Sequence, residues 1–177
     1  KDVPNLSANP LTIMGRPVLN RSSKIRGEIN SWCGGNISFR KKVFTIIGPF
    51  DDKLPKPWWR EDSCVFFRMK RKKLKIIYDP DAGLKHLRAI EGGCQNDRAH
   101  DNNPSLNIDV FSSETIFHLK FYSKLSLPLT LIFQFFWLVL KFNWKNPYNL
   151  VKSTIIMIKG FFEGYSYFIN NYQIQNS

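Results

Sequence analysis

The chain has few cysteines, and their arrangement excludes a scaffold held together by disulfides. The three cysteines, Cys33, Cys64 and Cys94, lie about thirty residues apart, and an odd number without close pairs is not typical of a disulfide framework. No C-x-x-C pair is present, which also disfavours a zinc site built from these thiols. The cysteines therefore indicate reduced thiols and a cytosolic environment.

The first thirty residues lack the apolar core of a secretory signal peptide. Proline and glycine interrupt this segment repeatedly, which is typical of an irregular loop with one short strand at most. The chain also begins at Lys1 instead of a methionine. We therefore expect either a processed N-terminus or the C-terminal part of a longer protein.

Long charged runs without aromatic residues are missing, which excludes a wholly disordered chain. Hydrophobic residues make up 43% and aromatic residues 15% of the 177 residues. This length and composition predict one domain, or one domain with a tail.

Acidic residues are scarce relative to basic ones, so the formal net charge is +12. This charge indicates an acidic partner, which leaves nucleic acid, an anionic membrane surface or a phosphorylated small molecule. Residues 1–88 carry +11 of it and residues 89–177 only +1. The basic run at 68–73 has no interleaved aromatic residue and no nucleic-acid motif around it, which disfavours a nucleic-acid partner.

Periodicity and stop signals predict a short series of elements before residue 112. A helix begins with Ser38 as its N-cap and ends at Gly48-Pro49, because proline cannot continue a helix. A second helix spans residues 61–73, a strand residues 75–78, a turn residues 79–83 and a further strand residues 84–87. We expect residues 89–112 to form a loop.

The second half is predicted to be helical from Glu114 onward, with a last helix at 148–168. Residues 125–140 contain no formal charge, and as a helix they would be about 24 Å long. This is short for a bilayer core of about 30 Å, while flanking lysines and tryptophans are typical of an interfacial segment. We favour membrane association, with a buried core helix, a short span or a partner-docking stripe as alternatives.

Five short motifs follow one another between residues 34 and 86. They are GGNISFR at 34–40, IGPFDD at 47–52, REDSCVFFR at 60–68, KIIYDPDA at 75–82 and, after them, His86. In this order and spacing, the segment from about residue 27 to 90 resembles the C-terminal half of a family 2 glycosyltransferase.

The resemblance implies an α/β fold: the second half of a GT-A-like domain, the nucleotide-diphospho-sugar transferase fold, followed by apolar C-terminal helices. Residues 1–112 would be the acceptor side of the catalytic domain, and residues 113–177 a helical, membrane-associated tail. The implied location is the cytoplasmic face of a membrane with an anionic surface.

The resemblance also assigns residues to substrate binding. Gly34 and Gly35 would let the backbone approach a sugar closely, because they lack a side chain. Asn36 offers both a donor and an acceptor to sugar hydroxyls. Trp58 and Trp59 would stack on a sugar face, with packing in a core or interface as the alternative.

The catalytic assignment falls on the acidic pair that opens the second helix. Asp62 would be the general base that takes the proton of the acceptor hydroxyl, giving inversion at the anomeric carbon. Glu61 would steady the loop or the acceptor, and the helix N-terminus favours charged carboxylates there. Arg68 would contact substrate phosphate, and His86 would reach the metal or the diphosphate.

The implied partners are a nucleotide-sugar donor and a glycan, lipid-linked or other hydroxyl acceptor. A divalent metal, Mg or Mn, is implied as cofactor. The chain departs from the family at Pro49, which replaces a glycine, and at Cys64, which replaces an acid. No nucleotide-binding half with a D-x-D motif precedes Trp32, and the D-P-D at 79–81 has the character of a turn.

We therefore expect this chain to be inactive as an enzyme by itself and to act as part of a longer transferase. The alternative hypothesis is a non-catalytic, membrane-associated module that binds glycans or lipid-linked sugars.

Overall fold

A computed structural model describes residues 23–29, 35–55, 59–85, 107–122, 124–142 and 147–173. The chain divides into two compact units. The first, called here the sheet unit, comprises Lys1–Asp51 and Glu61–Arg88; the second, called the helical unit, comprises Asp52–Arg60 and Ala89–Ser177.

The sheet unit is built on two short antiparallel strands, β1 (Gly27–Ile29) and β2 (Ile76–Tyr78). Their register pairs Gly27 with Tyr78 and Ile29 with Ile76. The strand predicted at 75–78 is thus confirmed. Leu84 and Lys85, which were predicted to begin a further strand, are not extended into one, and residues 86–87 lie outside the described residues.

Two helices accompany this sheet, α1 (Lys41–Ile47) and α2 (Glu61–Arg71). Their apolar faces bury against the strands, because both helices carry β-branched and aromatic residues at helical spacing. The core of the sheet unit consists of Ile29, Ile47, Val65, Phe66, Met69 and Ile76.

Helix α1 begins later than the predicted N-cap implies. Arg40 is the N-cap and makes no capping hydrogen bond through its side chain, so Ser38 does not cap the helix and that prediction was wrong. The predicted stop is confirmed: Gly48 has φ 77° and its N–H donates to the carbonyl of Phe44 at 3.0 Å. Only glycine adopts this backbone conformation without strain.

Helix α2 begins at Glu61 as predicted and ends at Arg71, before the predicted Lys73. Lys73 has φ 55°, its N–H donates to the carbonyl of Lys70, and the N–H of Leu74 donates to that of Met69. This pair of bonds is a Schellman motif, which closes a helix through one left-handed residue. A basic last turn and an acidic first turn match the helix dipole.

The helical unit consists of α3 (Ile108–Phe121), a single 3₁₀ turn (Lys124–Ser126), α4 (Leu127–Phe142), α5 (Pro147–Phe168) and a π-helical end (Ile169–Gln173). The loop predicted for 89–112 is wrong for residues 108–112, because α3 already begins at Ile108. Asn107 caps it by accepting the N–H of Asp109 at 2.8 Å. An Asn-Ile-Asp sequence that suggested a loop is in fact a helix start.

Helix α3 is buried on nearly all sides and packs closely against α5, with little space between the two backbones. A Cβ placed on Gly160 would lie 2.6 Å from the Cβ of Phe111 and 2.7 Å from the carbonyl oxygen of Ile108. Gly164, one turn later, meets Ser112 and Thr115. The residue numbers along the contact increase in the same direction on α3 and on α5, so the two helices are parallel there.

Helices α4 and α5 carry the predicted apolar segments, at Leu127–Phe142 and Pro147–Phe168. Among the described residues, none of the helices combines the length and the apolarity that a bilayer crossing requires. The described part of the chain is mostly helical with a two-stranded sheet, and the GT-A-like fold stays a prediction.

Candidate functional site

The sheet unit contains a cavity of about 660 Å³. Two segments far apart in the sequence line most of it: residues 35–39, which precede α1, and residues 75–84 around β2, apart from residue 81. Ile29 and Met69 form its apolar floor. A volume of this size lies within the range of about 300–1,000 Å³ that is usual for small-molecule sites.

Asn36 joins the two segments. Its side-chain Nδ2 donates to the carbonyl of Ala82 at 2.6 Å, across 46 residues of sequence. This bond uses one of the two N–H groups of the amide, so the side chain keeps a donor and an acceptor for a ligand hydroxyl. Gly35 lies next to it, and a Cβ built there would meet nothing within 4 Å.

The turn after β2 gives the cavity a charged edge. The carbonyl of Asp79 accepts the N–H of Ala82 at 3.2 Å, and its Oδ1 accepts the N–H of Asp81 at 3.1 Å. The D-P-D sequence therefore forms a turn, as predicted. Asp79 also pairs with Arg26 at 3.6 Å, and Lys75 pairs with Glu28 at 3.6 Å.

These exposed pairs put one carboxylate and one ammonium group on the cavity edge. Exposed ion pairs contribute little to stability, about 0–1 kcal/mol each. Asp79 and Lys75 can therefore leave these ion pairs at little cost and bind a polar ligand instead. The cavity thus combines an apolar floor, an amide and charges of both signs.

Glu61 and Asp62 occupy the first turn of α2 and are both half-buried. Burial raises the pKa of Glu61 above its ordinary value, and the neighbouring charge of Asp62 raises it further. Asp62 Oδ1 accepts the N–H of Ser63 at 2.6 Å. Within the described residues, neither acid lines the cavity.

Arg68 lies one turn before the end of α2 and reaches the C-terminus of α1. Its Nη1 donates to the carbonyl of Ile47 at 2.9 Å, and its Nε to that of Cys64 at 3.3 Å. A guanidinium at a helix C-terminus is favoured by the helix dipole. The described contacts of Arg68 therefore hold α1 and α2 together.

Trp59 and Arg60 belong to the helical unit and meet a buried carboxylate on α3. Arg60 donates to Glu114 from Nε at 3.0 Å and from Nη2 at 2.9 Å, and Trp59 Nε1 donates to the same carboxylate at 3.0 Å. The side chain of Glu114 is 1% exposed and that of Arg60 5%. The guanidinium also lies 4.9 Å from the ring centre of Phe117.

Three predicted site residues, Gly34, Trp58 and His86, lie outside the described residues. The implied Mg or Mn would need several oxygen, nitrogen or sulfur ligands from the described side chains. In the described ranges, no three His, Cys, Asp or Glu side chains lie close enough together to hold a metal ion. The side chains of these ranges therefore do not form a site that fits the implied metal.

Sequence reasoning missed the residues that surround the predicted ones. Lys75, Tyr78 and Asp79 line the cavity, but the sequence alone indicated only a strand and a turn. Sequence reasoning also missed Glu114. Its position at the start of a long stretch without acids could have identified it, because no Asp or Glu occurs between Glu114 and Glu163. A lone carboxylate in such an apolar stretch usually has a buried partner.

Comparison of this chain with family models, with curated proteins and with solved structures finds no match.

Proposed function

We propose that this chain is the acceptor-side part of an inverting glycosyltransferase, and that the cavity of the sheet unit binds a sugar. One observation carries the proposal: Gly35 and Asn36, which the sequence motif assigned to sugar binding, line a cavity together with the segment around β2. The motif resemblance and the cavity are independent lines of support, since the first rests on sequence and the second on geometry.

The side chains of the cavity suit a sugar. Sugars present hydroxyl groups that both donate and accept hydrogen bonds, and they present C–H faces that pack on apolar surfaces. Asn36 supplies an amide, Asp79 an acceptor and Lys75 a donor, while Ile29 and Met69 supply the apolar floor.

In the proposed reaction, Asp62 takes the proton of the acceptor hydroxyl. The hydroxyl oxygen attacks the anomeric carbon of the donor as the bond from that carbon to the nucleoside diphosphate breaks. The diphosphate leaves with the bonding electron pair, and the anomeric carbon is inverted. Glu61, whose pKa is raised by burial and by the neighbouring charge of Asp62, would steady the loop or the acceptor beside this base.

The test is sugar transfer by the protein that contains this chain, measured as release of nucleoside diphosphate from a panel of nucleotide sugars. We expect Asp62→Asn to lower turnover by about a thousandfold or more while the circular dichroism spectrum is unchanged. Asp81→Asn is the matched control, because this exposed residue does not line the cavity within the described part. Transfer that survives Asp62→Asn would refute the assignment of the base.

One observation favours the second candidate, a non-catalytic module that binds glycans or lipid-linked sugars. The cavity is formed within the sheet unit, and neither Glu61 nor Asp62 lines its described part. Such a module would bind sugars in the cavity equally well before and after the substitution Asp62→Asn, and it would release no nucleoside diphosphate. Sugar binding without turnover of any donor in the panel would therefore support this candidate over the first.

A further inference from the structure

The exposed surface of α4 is apolar along its whole length. Five side chains at helical spacing form what we call the outer face, and between 43% and 77% of each is exposed: Leu129, Ile132, Phe133, Phe136 and Leu140. Side chains three and four residues apart lie on the same side of a helix, so they make one continuous stripe. A stripe of this size needs a nonpolar surrounding.

The inner side of α4 is more polar than its outer face. Thr130 and Gln134 are buried, at 6% and 2% exposure. Thr130 Oγ1 donates to the carbonyl of Ser126 at 3.0 Å and lies 3.2 Å from Nδ1 of His118. A helix packed for water would show the reverse arrangement.

The contact between α3 and α5 also uses small residues. Gly160 and Gly164 let the backbones approach closely, and Ser112 and Ser153 are buried. Small residues spaced four apart, with hydroxyl groups between the helices, are typical of helix contacts in a lipid environment. The interior of this unit is therefore compatible with a nonpolar surrounding.

Helix α5 presents a second apolar stripe. Its five exposed members recur at spacings of four and three residues: Val151, Ile155, Ile158, Phe162 and Tyr165. Helices α4 and α5 therefore each expose an apolar stripe.

The charges around these stripes are mostly positive, and one acid, the exposed Glu163, lies near the end of the α5 stripe. Residues 115–162 contain six lysines and no Asp, Glu or Arg, and Lys124, Lys152 and Lys159 are exposed. A second copy of the chain would bring the same lysines to the contact, with only Glu163 from residues 115–165 to balance them. An anionic membrane provides both: its head groups supply the missing negative charge, and its acyl chains supply the nonpolar layer.

We propose that the helical unit docks on an anionic membrane through the outer face of α4, which enters the acyl region of one leaflet. The exposed lysines lie among the lipid head groups. This inference does not depend on the sugar-transfer reaction, because it rests on the helical unit alone.

The test is flotation of the full chain with vesicles. Vesicles of phosphatidylcholine with about one third phosphatidylglycerol are compared with phosphatidylcholine alone. We expect flotation with the anionic vesicles and a loss of roughly fivefold in partitioning for each of Lys124→Gln and Lys152→Gln. Phe136→Ser should lower partitioning by roughly tenfold or more, because an apolar contact with the acyl chains is lost.

Ile46→Ser is the matched control, because Ile46 is also an exposed apolar residue but lies in the sheet unit, outside the lining of the cavity. It should float like the unmodified chain. Equal flotation of Phe136→Ser and Ile46→Ser would overturn insertion of the outer face. Failure to float, combined with a dimer in light scattering that Phe136→Ser dissociates, would overturn the membrane as occupant and assign the face to a second copy.

Discussion

Replacing Glu114 by glutamine should destabilise the helical unit strongly. The carboxylate is buried and receives three hydrogen bonds, two from Arg60 and one from Trp59, all between 2.9 and 3.0 Å. Glutamine keeps the shape but removes the charge, and its amide N–H₂ cannot accept a hydrogen bond from a guanidinium. The positive charge of Arg60 would then remain buried without a counter-charge.

The magnitude follows from this geometry. Removing one partner of a buried ion pair costs about 3–5 kcal/mol, since the remaining charge stays desolvated. A loss of this size is a large fraction of a total stability of about 5–15 kcal/mol.

Urea unfolding followed by circular dichroism measures the effect. The matched control is Glu163→Gln, an exposed change of the same kind on α5, which should change the free energy of unfolding by less than about 0.5 kcal/mol. The double variant Arg60→Met with Glu114→Leu should recover most of the loss, because it buries no charge. A Glu114→Gln chain as stable as Glu163→Gln would refute the reasoning.

Three further predictions follow from single positions. Gly160→Ala should lower the free energy of unfolding by about 1–3 kcal/mol in a urea titration, because its methyl group would collide with Phe111; an unchanged midpoint would contradict the close contact of α3 and α5. Gly48→Ala should cost about 1–3 kcal/mol in the same assay, because its φ of 77° and ψ of 171° lie in a region essentially restricted to glycine, and a neutral effect would contradict this backbone conformation at the end of α1. Because the pKa of Glu61 is raised in the folded chain, its contribution to stability is greatest below the ordinary glutamate pKa and is lost as the pH rises through the raised value. Glu61→Gln should therefore show a shallower decline of stability across that range, and identical pH profiles would contradict the raised pKa.

The elements that the sequence could predict are those determined by neighbouring residues. Gly48-Pro49 ended α1 because both residues act locally on the backbone, and Asp79 to Gly83 formed a turn for the same reason. The start of α2 at Glu61 was also correct. Local signals led to a wrong prediction where they were ambiguous. Asn107 is a residue type common in loops, and a loop was predicted there, but it is the N-cap of α3.

The contacts that matter most for the site depend on residues distant in the sequence. Asn36 meets Ala82 across 46 positions and Arg60 meets Glu114 across 54, and no periodicity within a window reveals such a pairing. The same is true of the packing of Gly160 on α3. The motif resemblance placed Gly35 and Asn36 in a sugar site, and the cavity around them is a geometric property that the motif does not contain.

The most direct test of the account is an NMR titration of the ¹⁵N-labelled chain with monosaccharides and nucleotide sugars. We predict that the backbone amides of Gly35 and Asn36 shift together with those of residue 79 and residues 81–84, and at the same ligand concentration. Asn36→Ala should weaken this binding by roughly tenfold, as expected for the loss of a hydrogen bond to a buried ligand. Shifts confined to other residues, or no shifts with any sugar, would contradict the assignment of the cavity as a sugar site.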